Sequence, residues 1–277
     1  MKLNKVRVVC FSPTHTSRKV AEAIARGTGL EQTDACNVTL APAPAQVLPA
    51  DELVIVSVPV YGGHVAPLAL KRLEDLKADG TPVVAVVVYG NRAYEKALID
   101  LDGFLSNQGF KVIAGGTFIG EHSYSTPDKP IAAGRPDADD LAYAELFGQK
   151  LRTKIEEASD LDHLYPVDVR RIQRPSQSLF GLIKFVYGVI RLRKSALPIA
   201  RCPETDTAKC SACGLCAKVC PTGAISPEHP EQTDPARCIR CCACVKVCKK
   251  EARHYETPFA ELLYKNFKRE KQNRIIL

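Results

Sequence analysis

Eight of the twelve cysteines in this 277-residue chain form two runs with the same spacing. Successive cysteines of each run are separated by two, two and three residues, and Pro221 follows the first run. The two runs are Cys210, Cys213, Cys216 and Cys220, then Cys238, Cys241, Cys244 and Cys248. Thiolates at these intervals hold iron–sulfur clusters, and the fourth cysteine of one run ligates the cluster of the other. The spacing therefore predicts two [4Fe-4S] clusters and transfer of single electrons at low potential.

Two other uses of cysteine fit these runs less well. Disulfides need an oxidising compartment, whereas the first residues of the sequence lack the apolar region and small-residue cleavage site of a secretory signal. Structural zinc usually takes one pair of cysteines from each of two separated loops. We therefore expect a cytoplasmic protein whose clustered cysteines bind iron.

The two runs resemble those of bacterial two-cluster ferredoxins. The resemblance implies two ligand sets: Cys210, Cys213, Cys216 and Cys248 for the first cluster, and Cys220, Cys238, Cys241 and Cys244 for the second. Lys249 stands where ferredoxins usually have proline, which leaves the ligands intact and affects the local turn and the potential of the first cluster. Cys202 and Cys242 fall outside the pattern, and we expect them to be bystanders.

The first 158 residues have the pattern of a separate α/β unit. Short β-branched runs at 6–11, 53–58, 83–89 and 112–119 predict strands buried on both faces, with a weaker edge strand at 34–40. Between them, residues 17–26, 67–78, 93–108 and 138–157 have helical periodicity. This alternation predicts a doubly wound parallel sheet of five strands, which binds ligands beyond the carboxyl ends of its strands.

The loop after the first predicted strand, residues 12–17, is rich in hydroxyl groups and leads into a helix. Hydroxyls beside a helix N-terminus can bind a phosphate, whereas an ordinary helix cap by Thr16 or Ser17 needs only one of them. This loop resembles the flavodoxin loop T/S-x-T-G-x-T/S that holds the phosphate of flavin mononucleotide (FMN), with His15 where flavodoxins usually have glycine. We therefore expect it to bind a phosphate.

Two later loops resemble those that enclose the flavin ring in flavodoxins. They follow the third and fourth predicted strands, and residues 120–125 are expected to border the same site. The FMN-binding residues that the resemblance implies are Ser12, Thr14, His15, Thr16, Ser17, Pro59, Val60, Tyr61, Gly62, Gly63, Tyr89, Gly90, Asn91, Arg92 and Tyr94. Taken singly, Tyr61 and Tyr89 are more typical of core aromatics, and it is their position beside glycines at strand ends that favours the flavin.

The order of these segments resembles fused flavodoxin–ferredoxin proteins of anaerobic bacteria and archaea. The resemblance implies a flavodoxin-like α/β domain at 1–158 and a small α+β ferredoxin domain at 201–256. The residue pattern adds a linker with an apolar helix at 159–200 and a basic C-terminal helix at 257–277. The resemblance also implies electron transfer between the clusters and FMN, coupling one-electron to two-electron steps for a partner redox enzyme.

Other functions stay open. FMN could instead reduce a small substrate, with the clusters as its electron supply and a pocket lined by Tyr61, His64, Tyr89, Asn91 and His122. A redox or oxygen sensor is a third hypothesis. The sequence carries no second Gly-rich nucleotide loop, so we do not expect direct use of NAD(P)H.

The chain has a net charge of +7, which is distributed unevenly between its two parts. Residues 1–158 carry 17 Lys and Arg against 19 Asp and Glu, whereas residues 159–277 carry 21 against 12. Basic surface near the clusters favours an acidic redox partner. We expect no nucleic-acid binding, because no basic motif is interleaved with aromatic residues.

Residues 179–190 are strongly apolar and are followed by basic residues. The segment is shorter than the roughly twenty residues that span a bilayer, and Lys184 interrupts it. It could pack between the domains, pair with a second subunit in a homodimer, or lie on a membrane surface as a peripheral contact. Packing is the commonest use of such a segment.

Overall fold

A computed structural model describes residues 3–195 and 202–277. The predicted boundary between linker and ferredoxin domain, at 200/201, lies outside the described residues. The chain divides into two compact units that alternate along the sequence. Unit 1 contains residues 1–121, 134–175 and 271–277, and unit 2 contains residues 122–133 and 176–270. The sequence predicted consecutive segments, whereas the units are interleaved.

Unit 1 is built on a mostly parallel sheet. Unit 1 contains the strands β1 (Lys5–Cys10), β2 (Glu31–Gln32), β3 (Cys36–Asn37), β4 (Gln46–Leu48), β5 (Glu52–Tyr61), β6 (His64–Val65), β7 (Leu76–Ala78), β8 (Pro82–Tyr89) and β9 (Lys111–Ile119). Strands β4 and β7 form a separate two-stranded sheet, and the others belong to the main sheet. A later strand, β12 (Arg274–Ile276), joins the same sheet, whose order is β12-β9-β8-β5-β1-β2, with β3 also paired to β1. Leaving out β12, this is the flavodoxin-like doubly wound order, with the edge strand beside β1 and β5, β8 and β9 following in turn.

The central strands form because their residues are apolar on both faces. Every residue of β8 is buried, as are most of β5 and β9. Helices α1 (Thr16–Thr28), α2 (Pro67–Leu73), α3 (Ala97–Asn107) and α4 (Ala138–Glu157) connect or flank them. A capping box starts α4, in which Asp137 and Asp140 exchange side-chain and backbone bonds. The predicted doubly wound sheet is confirmed.

Four elements of unit 1 differ from the prediction. The helix predicted over 67–78 ends at Leu73, because residues 76–78 pair with β4 as the short strand β7. The helix predicted over 93–108 begins only at Ala97. Of the predicted edge strand at 34–40, only the two-residue strand β3 forms, and the equally short β2 lies before the predicted range. The sheet also gains β12, which runs antiparallel to β9.

Unit 2 is small and has little regular structure. It contains helices α5 (Leu179–Lys194), α6 (Leu215–Lys218), α7 (Ala243–Lys246) and α8 (Pro258–Asn266), and a two-stranded sheet of β10 (Glu204–Thr205) and β11 (Arg253–His254). A core of Ile131, Phe185, Leu263 and Phe267 holds α5 to α8. The segment predicted as a basic helix over 257–277 is helical only over α8, because its last residues extend into β12.

Candidate functional site

The hydroxyl-rich loop lies between β1 and α1, at the carboxyl end of a central strand. His15, the N-cap residue of α1, adopts the left-handed conformation with φ 64°, and its own side chain does not cap the helix. Glycine adopts this conformation with least strain, which gives a physical reason for the glycine usually found at this place in flavodoxin loops. Neither Thr16 nor Ser17 caps the helix, so the cap interpretation of these two hydroxyls does not hold.

Ser12 fixes the shape of this loop. Its backbone N–H donates to Thr39 Oγ1 at 2.8 Å, and its own Oγ accepts from the Arg18 N–H at 3.1 Å. Ser17 Oγ is buried and has no hydrogen-bond partner. The N-terminus of a helix, together with a buried hydroxyl lacking a partner, suits an anionic group such as a phosphate.

The loop after β5, the third predicted strand, is a tight hairpin. Strand β5 continues to Tyr61, beyond the predicted end at residue 58, and β6 pairs back with it. Gly62 and Gly63 form the turn with φ of 62° and 88°, which glycine allows. A Cβ on Gly63 would lie 2.1 Å from Glu95 Oε2, so glycine here lets the next loop approach closely.

The loop after β8, the fourth predicted strand, places its aromatic residues in the core. Tyr89 and Tyr94 are both buried, and their rings meet edge to face with centroids 5.7 Å apart. Burial raises the pKa of both phenols, and neither buried hydroxyl has a hydrogen-bond partner. Of the predicted aromatic residues of these two loops, Tyr61 alone keeps an accessible surface. The core interpretation therefore fits Tyr89 and Tyr94 better than ring stacking does.

The chain's last residues also reach this edge of the sheet, which was not predicted. Asn91 Oδ1 accepts from the backbone N–H of Lys271 at 2.9 Å, and Asn273 Oδ1 accepts from the Ile119 N–H at 2.9 Å. Asn273 Nδ2 donates to Asp140 at 2.7 Å. Burial opposes ionisation of Asp140, but hydrogen bonds from Arg135, the Asp137 backbone and Asn273 outweigh it and lower its pKa.

The segment 120–125, expected to border the flavin site, is divided between the units. Within unit 2, the Tyr124 ring lies 4.9 Å from the His122 ring and 5.1 Å from the Tyr255 ring. Lys246 Nζ donates to the Ser125 carbonyl at 3.0 Å. Residues 122–125 therefore belong structurally with the second cysteine run.

A cavity in unit 2, called the first cavity below, has the four cysteines of the first predicted ligand set on its wall. Its lining includes Cys210, Cys213, Cys216, Cys248, Gly214, Lys249, Lys250 and Arg253. Cys213 is exposed, and both lysines face solvent. Sequence neighbours thus supply three sulfurs, and the distant Cys248 supplies the fourth.

The second cavity has the four cysteines of the other predicted set on its wall. Its lining includes Cys220, Cys238, Cys241, Cys244, Cys242, Ile225 and Ala243. Cys241 and Cys244 are each 8% exposed. The Ala224 N–H donates to Cys220 Sγ at 3.2 Å and the Arg240 N–H to Cys238 Sγ at 3.4 Å. Such donors stabilise sulfur ligands and tune the potential of a cluster.

The thiols of the two cavities differ in their proton affinity. Burial raises the pKa of Cys241 to about 11 and that of Cys244 to about 12. For Cys248, burial also raises the pKa, but backbone N–H groups of residues 250, 252 and 253 outweigh it and lower the pKa overall. Iron–sulfur ligation requires thiolates, so the second cavity depends more on the metal for their formation.

The two runs fold as near repeats. Ala212 and Gly214 have positive φ in the first run, and Arg240 and Cys242 have positive φ at the same places in the second. A one-turn helix follows each, α6 and α7. Cys242 thus occupies the position of Gly214, which explains how a cysteine outside the ligand pattern comes to lie in the second cavity.

Other cysteines and cavities lie outside these sites. Cys10 is buried in β1 and Cys36 is partly buried in β3, and burial raises the pKa of each. Among the described residues, no three His, Cys, Asp or Glu side chains form a site for a single metal ion. A cavity of about 430 Å³ in unit 1 is lined by His163, Tyr165 and Ile276, away from the loops discussed above.

One family matches part of the chain. Residues 203–226 match the family described as "4Fe-4S binding domain", and they include the first cysteine run. No curated protein sequence matches the chain.

Several solved structures are similar to unit 1. A flavodoxin from the domain Archaea covers 55% of this chain and 99% of its own length, with 15% identity and a TM-score of 0.36. A Streptococcus pneumonia TIGR4 flavodoxin covers 54% and 99%, with 19% identity and a TM-score of 0.37. An NADH:FMN oxidoreductase in its apo form covers 59% and 95%, with 14% identity and a TM-score of 0.40.

The strand order and the family match describe different parts of the chain. The parallel sheet of unit 1 has the flavodoxin order, and residues 203–226 belong to unit 2. The chain thus joins a flavodoxin-like α/β fold to a 4Fe-4S binding domain, the combination that the resemblance to fused flavodoxin–ferredoxin proteins predicted.

Proposed function

We propose that this chain is an electron-transfer protein that relays electrons between two [4Fe-4S] clusters and FMN for a partner redox enzyme. The observation that carries the proposal is the pair of cavities in unit 2, each lined by the four cysteines of one predicted ligand set. Two cavities formed by chance would not each collect the four cysteines of one predicted set. The flavodoxin-like sheet of unit 1 supports the flavin part.

The donor set of each cavity fits a cluster. Four thiolates suit a [4Fe-4S] cluster, and backbone N–H groups already point at several of the sulfurs. When bound, clusters supply one-electron transfer at low potential and FMN accepts one or two electrons. Residues Cys210, Cys213, Cys216 and Cys248 would hold the first cluster, and Cys220, Cys238, Cys241 and Cys244 the second.

The loop between β1 and α1 fits the phosphate of FMN. The N-terminus of α1 offers backbone N–H groups and the positive end of its dipole, and Ser17 adds a buried hydroxyl without a partner. Ser12 holds the loop in this shape through its bonds to Thr39 and Arg18. Tyr61, Gly62 and Gly63 are the residues of the neighbouring hairpin best placed to meet the flavin ring.

A partner of acidic surface suits the first cavity. Lys249 and Lys250 line it and are exposed, and Lys209 and Lys218 are exposed near its cysteines in sequence. Cationic side chains around a redox centre raise the encounter rate with an acidic protein and orient it.

Cofactor analysis tests the proposal directly. Anaerobic purification and full reconstitution should yield about eight irons and about eight sulfides per chain, the content of two clusters, together with bound FMN. An anaerobic reductive titration followed by absorbance and EPR then assigns each cofactor. A chain that retains about four irons, or that binds no flavin, would contradict the relay.

A matched pair of hydroxyl variants tests the phosphate loop. Ser17→Ala should weaken FMN binding roughly tenfold, because a charge-assisted hydrogen bond is lost. Thr28→Ala at the other end of α1, where Thr28 donates to the Ala25 carbonyl, should leave the affinity unchanged. Equal affinities for Ser17→Ala and the wild type would remove Ser17 from the site.

One observation favours a second candidate, an FMN-dependent reductase of a small substrate. His64 follows the Gly62–Gly63 turn, is exposed, and lies 2.7 Å from Asp100 through Nδ1. An imidazole that is oriented by a carboxylate is a typical proton donor for reduction. If His64→Ala abolished turnover of a small electron acceptor but left electron transfer to protein partners intact, the reductase function would be supported. Rapid bleaching of the flavin by NAD(P)H alone would contradict the partner-dependent relay.

A further inference from the structure

Helix α5 presents its large apolar side chains to solvent. The exposed residues are Leu179, Phe180, Ile183, Val186, Tyr187 and Ile190. Their spacing places them along one side of the helix. Phe180 is 67% and Tyr187 62% exposed. A continuous apolar face of this kind on a soluble unit indicates a surface that is covered in use.

The opposite side of α5 is already packed, so its outward face is fixed. A Cβ on Gly188 would lie 2.5 Å from Leu262, and one on Gly181 would lie 2.9 Å from the Asn266 carbonyl. The Phe185 ring packs against Phe259 and Phe267, with centroids 5.6 and 5.0 Å away. Glycines thus let α5 approach α8 closely, while the larger residues are directed away from that contact.

The charge of α5 has a single sign. The helix carries Lys184, Arg191, Arg193 and Lys194, and no acidic residue. Lys184 Nζ lies 4.2 Å from the centre of the exposed Phe180 ring. Three of the four cations are in the last turn, beside the apolar face. This combination of apolar face and basic flank is typical of helices that lie in a membrane interface.

We propose that α5 binds flat on the surface of an anionic lipid bilayer. The exposed apolar side chains would enter the boundary between headgroups and acyl chains, and the cations would contact anionic headgroups. Among the described residues, no helix is long and apolar enough to cross a membrane. Tyr187, with an apolar ring and a polar tip, suits the interface depth.

A second copy of the chain is a less favourable occupant. Lys184 lies near the middle of α5, so antiparallel pairing of two such faces would bring two ammonium groups together in an apolar contact. Burying like charges in this way costs free energy that an anionic surface would instead recover. Charge complementarity therefore favours lipid.

The test is co-sedimentation of the reconstituted full-length protein with lipid vesicles. We expect binding to vesicles of equal parts phosphatidylglycerol and phosphatidylcholine, and much weaker binding to phosphatidylcholine alone. Ile183→Glu should weaken binding about tenfold or more, because an apolar side chain that would enter the bilayer is replaced by a carboxylate that anionic headgroups repel. Arg191→Gln with Arg193→Gln should weaken it roughly tenfold to thirtyfold at low salt.

Val47→Glu is the matched control. Val47 is an exposed apolar residue in unit 1, at 66% exposure, so the same substitution there should leave vesicle binding unchanged. Iron content and circular dichroism report whether each variant folds. Because vesicle binding needs no electron transfer, its failure is distinguishable from failure of the relay.

Three results would overturn the proposal. Equal binding to neutral and anionic vesicles would remove the role of the cations. Unchanged binding of Ile183→Glu would remove the apolar face. If the wild type bound no vesicles and formed a dimer that Ile183→Glu dissociates, the face would instead be an interface between two copies.

Discussion

The first cavity has exposed lysines on its wall, whereas the second is lined mostly by buried side chains. Cys213 of the first is exposed, and Cys241 and Cys244 of the second are buried. Tyr255 is also buried, and its ring meets that of Tyr124, whose pKa is raised by burial. Two runs with the same cysteine spacing therefore produce two different environments.

This difference suggests different roles for the two sites. Solvent and nearby cations stabilise the more negative, reduced form of a cluster, so the cluster of the first cavity should have the higher potential. Its exposure also makes it the side that a partner can approach. The enclosed second cavity is suited to transfer inside the protein, away from solvent.

The largest contrast should come from losing one ligand in each cavity. Cys244→Ser and Cys213→Ser should each remove roughly half of the bound iron. Cys244→Ser should also destabilise unit 2 strongly, by about 3 kcal/mol or more, because metal binding and folding are coupled and its site is buried. Iron analysis and urea unfolding followed by circular dichroism measure both effects.

Cys242→Ser is the control for that pair, since Cys242 is buried beside the ligands but lies outside both sets. It should keep its full iron content. Equal destabilisation by Cys213→Ser and Cys244→Ser would show that the two cavities contribute alike to folding.

Arg253 holds the wall of the first cavity through buried hydrogen bonds. Its guanidinium is buried, lines that cavity and donates to the carbonyl of Pro230 on the same wall. It also donates to Thr233 Oγ1 at 2.6 Å and to the Gln232 carbonyl at 3.4 Å. Arg253→Met should cost about 2–4 kcal/mol, because these acceptors lose a charged donor. Iron should be released to a chelator faster from the first cavity than from the second.

Arg237→Met provides the comparison, since Arg237 is exposed and donates to the Thr222 carbonyl at 2.6 Å. It should change stability by less than about 1 kcal/mol. Faster iron loss from the second cavity in Arg253→Met would mean that this arginine does not support the first one.

The lysines of the first cavity should control access by charged reductants. In Lys249→Glu with Lys250→Glu, reduction by anionic dithionite should slow several-fold, and reduction by the radical cation of pre-reduced methyl viologen should quicken several-fold at low salt. Stopped-flow absorbance gives both rates. Lys19→Glu, an exposed change in unit 1, is the control. If the two reduction rates changed by the same factor, or if neither changed, access of reductants through this cavity would be contradicted.

The smallest effect is expected where the two runs are equivalent. Cys242→Gly removes a left-handed backbone strain but also a buried side chain, so stability should change by less than about 1 kcal/mol. Gly214→Ala should be destabilising by about 1 kcal/mol, because alanine disfavours φ 72°. Urea unfolding of the reconstituted proteins compares the two. A larger loss in Cys242→Gly would give Cys242 a structural role that Gly214 lacks.

Local patterns in the sequence predicted most of unit 1. Unbroken runs of β-branched residues such as β8 fit a buried strand and little else. The cap at Asp137 marks the start of α4. Residues 76–78 were wrongly placed in a helix, because Leu73 and Leu76 also fit helical spacing and the pairing with β4 is non-local. Strand β12 is only three residues long, and nothing near it in sequence indicates β9 as its partner.

In the candidate site, too, features set by nearby residues could be predicted, and features set by distant contacts could not. The grouping of the eight cysteines around two cavities was predictable because most of each set lies within a few residues of sequence. Tyr89 and Tyr94 look equally suited to a ring-binding loop and to a core, and only their packing distinguishes the two. Lys271 and Asn273 could not be assigned to the strand ends from sequence, because their contacts depend on the return of the chain after unit 2.

That return has a consequence for how the protein is made. Strand β9 would be an edge of the sheet without β12, and it is synthesised long before residues 274–276 leave the ribosome. During that interval, its unpaired backbone groups are open to other chains. The cysteine runs also emerge before β12, and because metal binding is coupled to folding, a unit 2 that lacks iron should delay the pairing of β12 with β9. A shortage of iron during translation would therefore be expected to prolong the time for which the nascent chain is prone to aggregate.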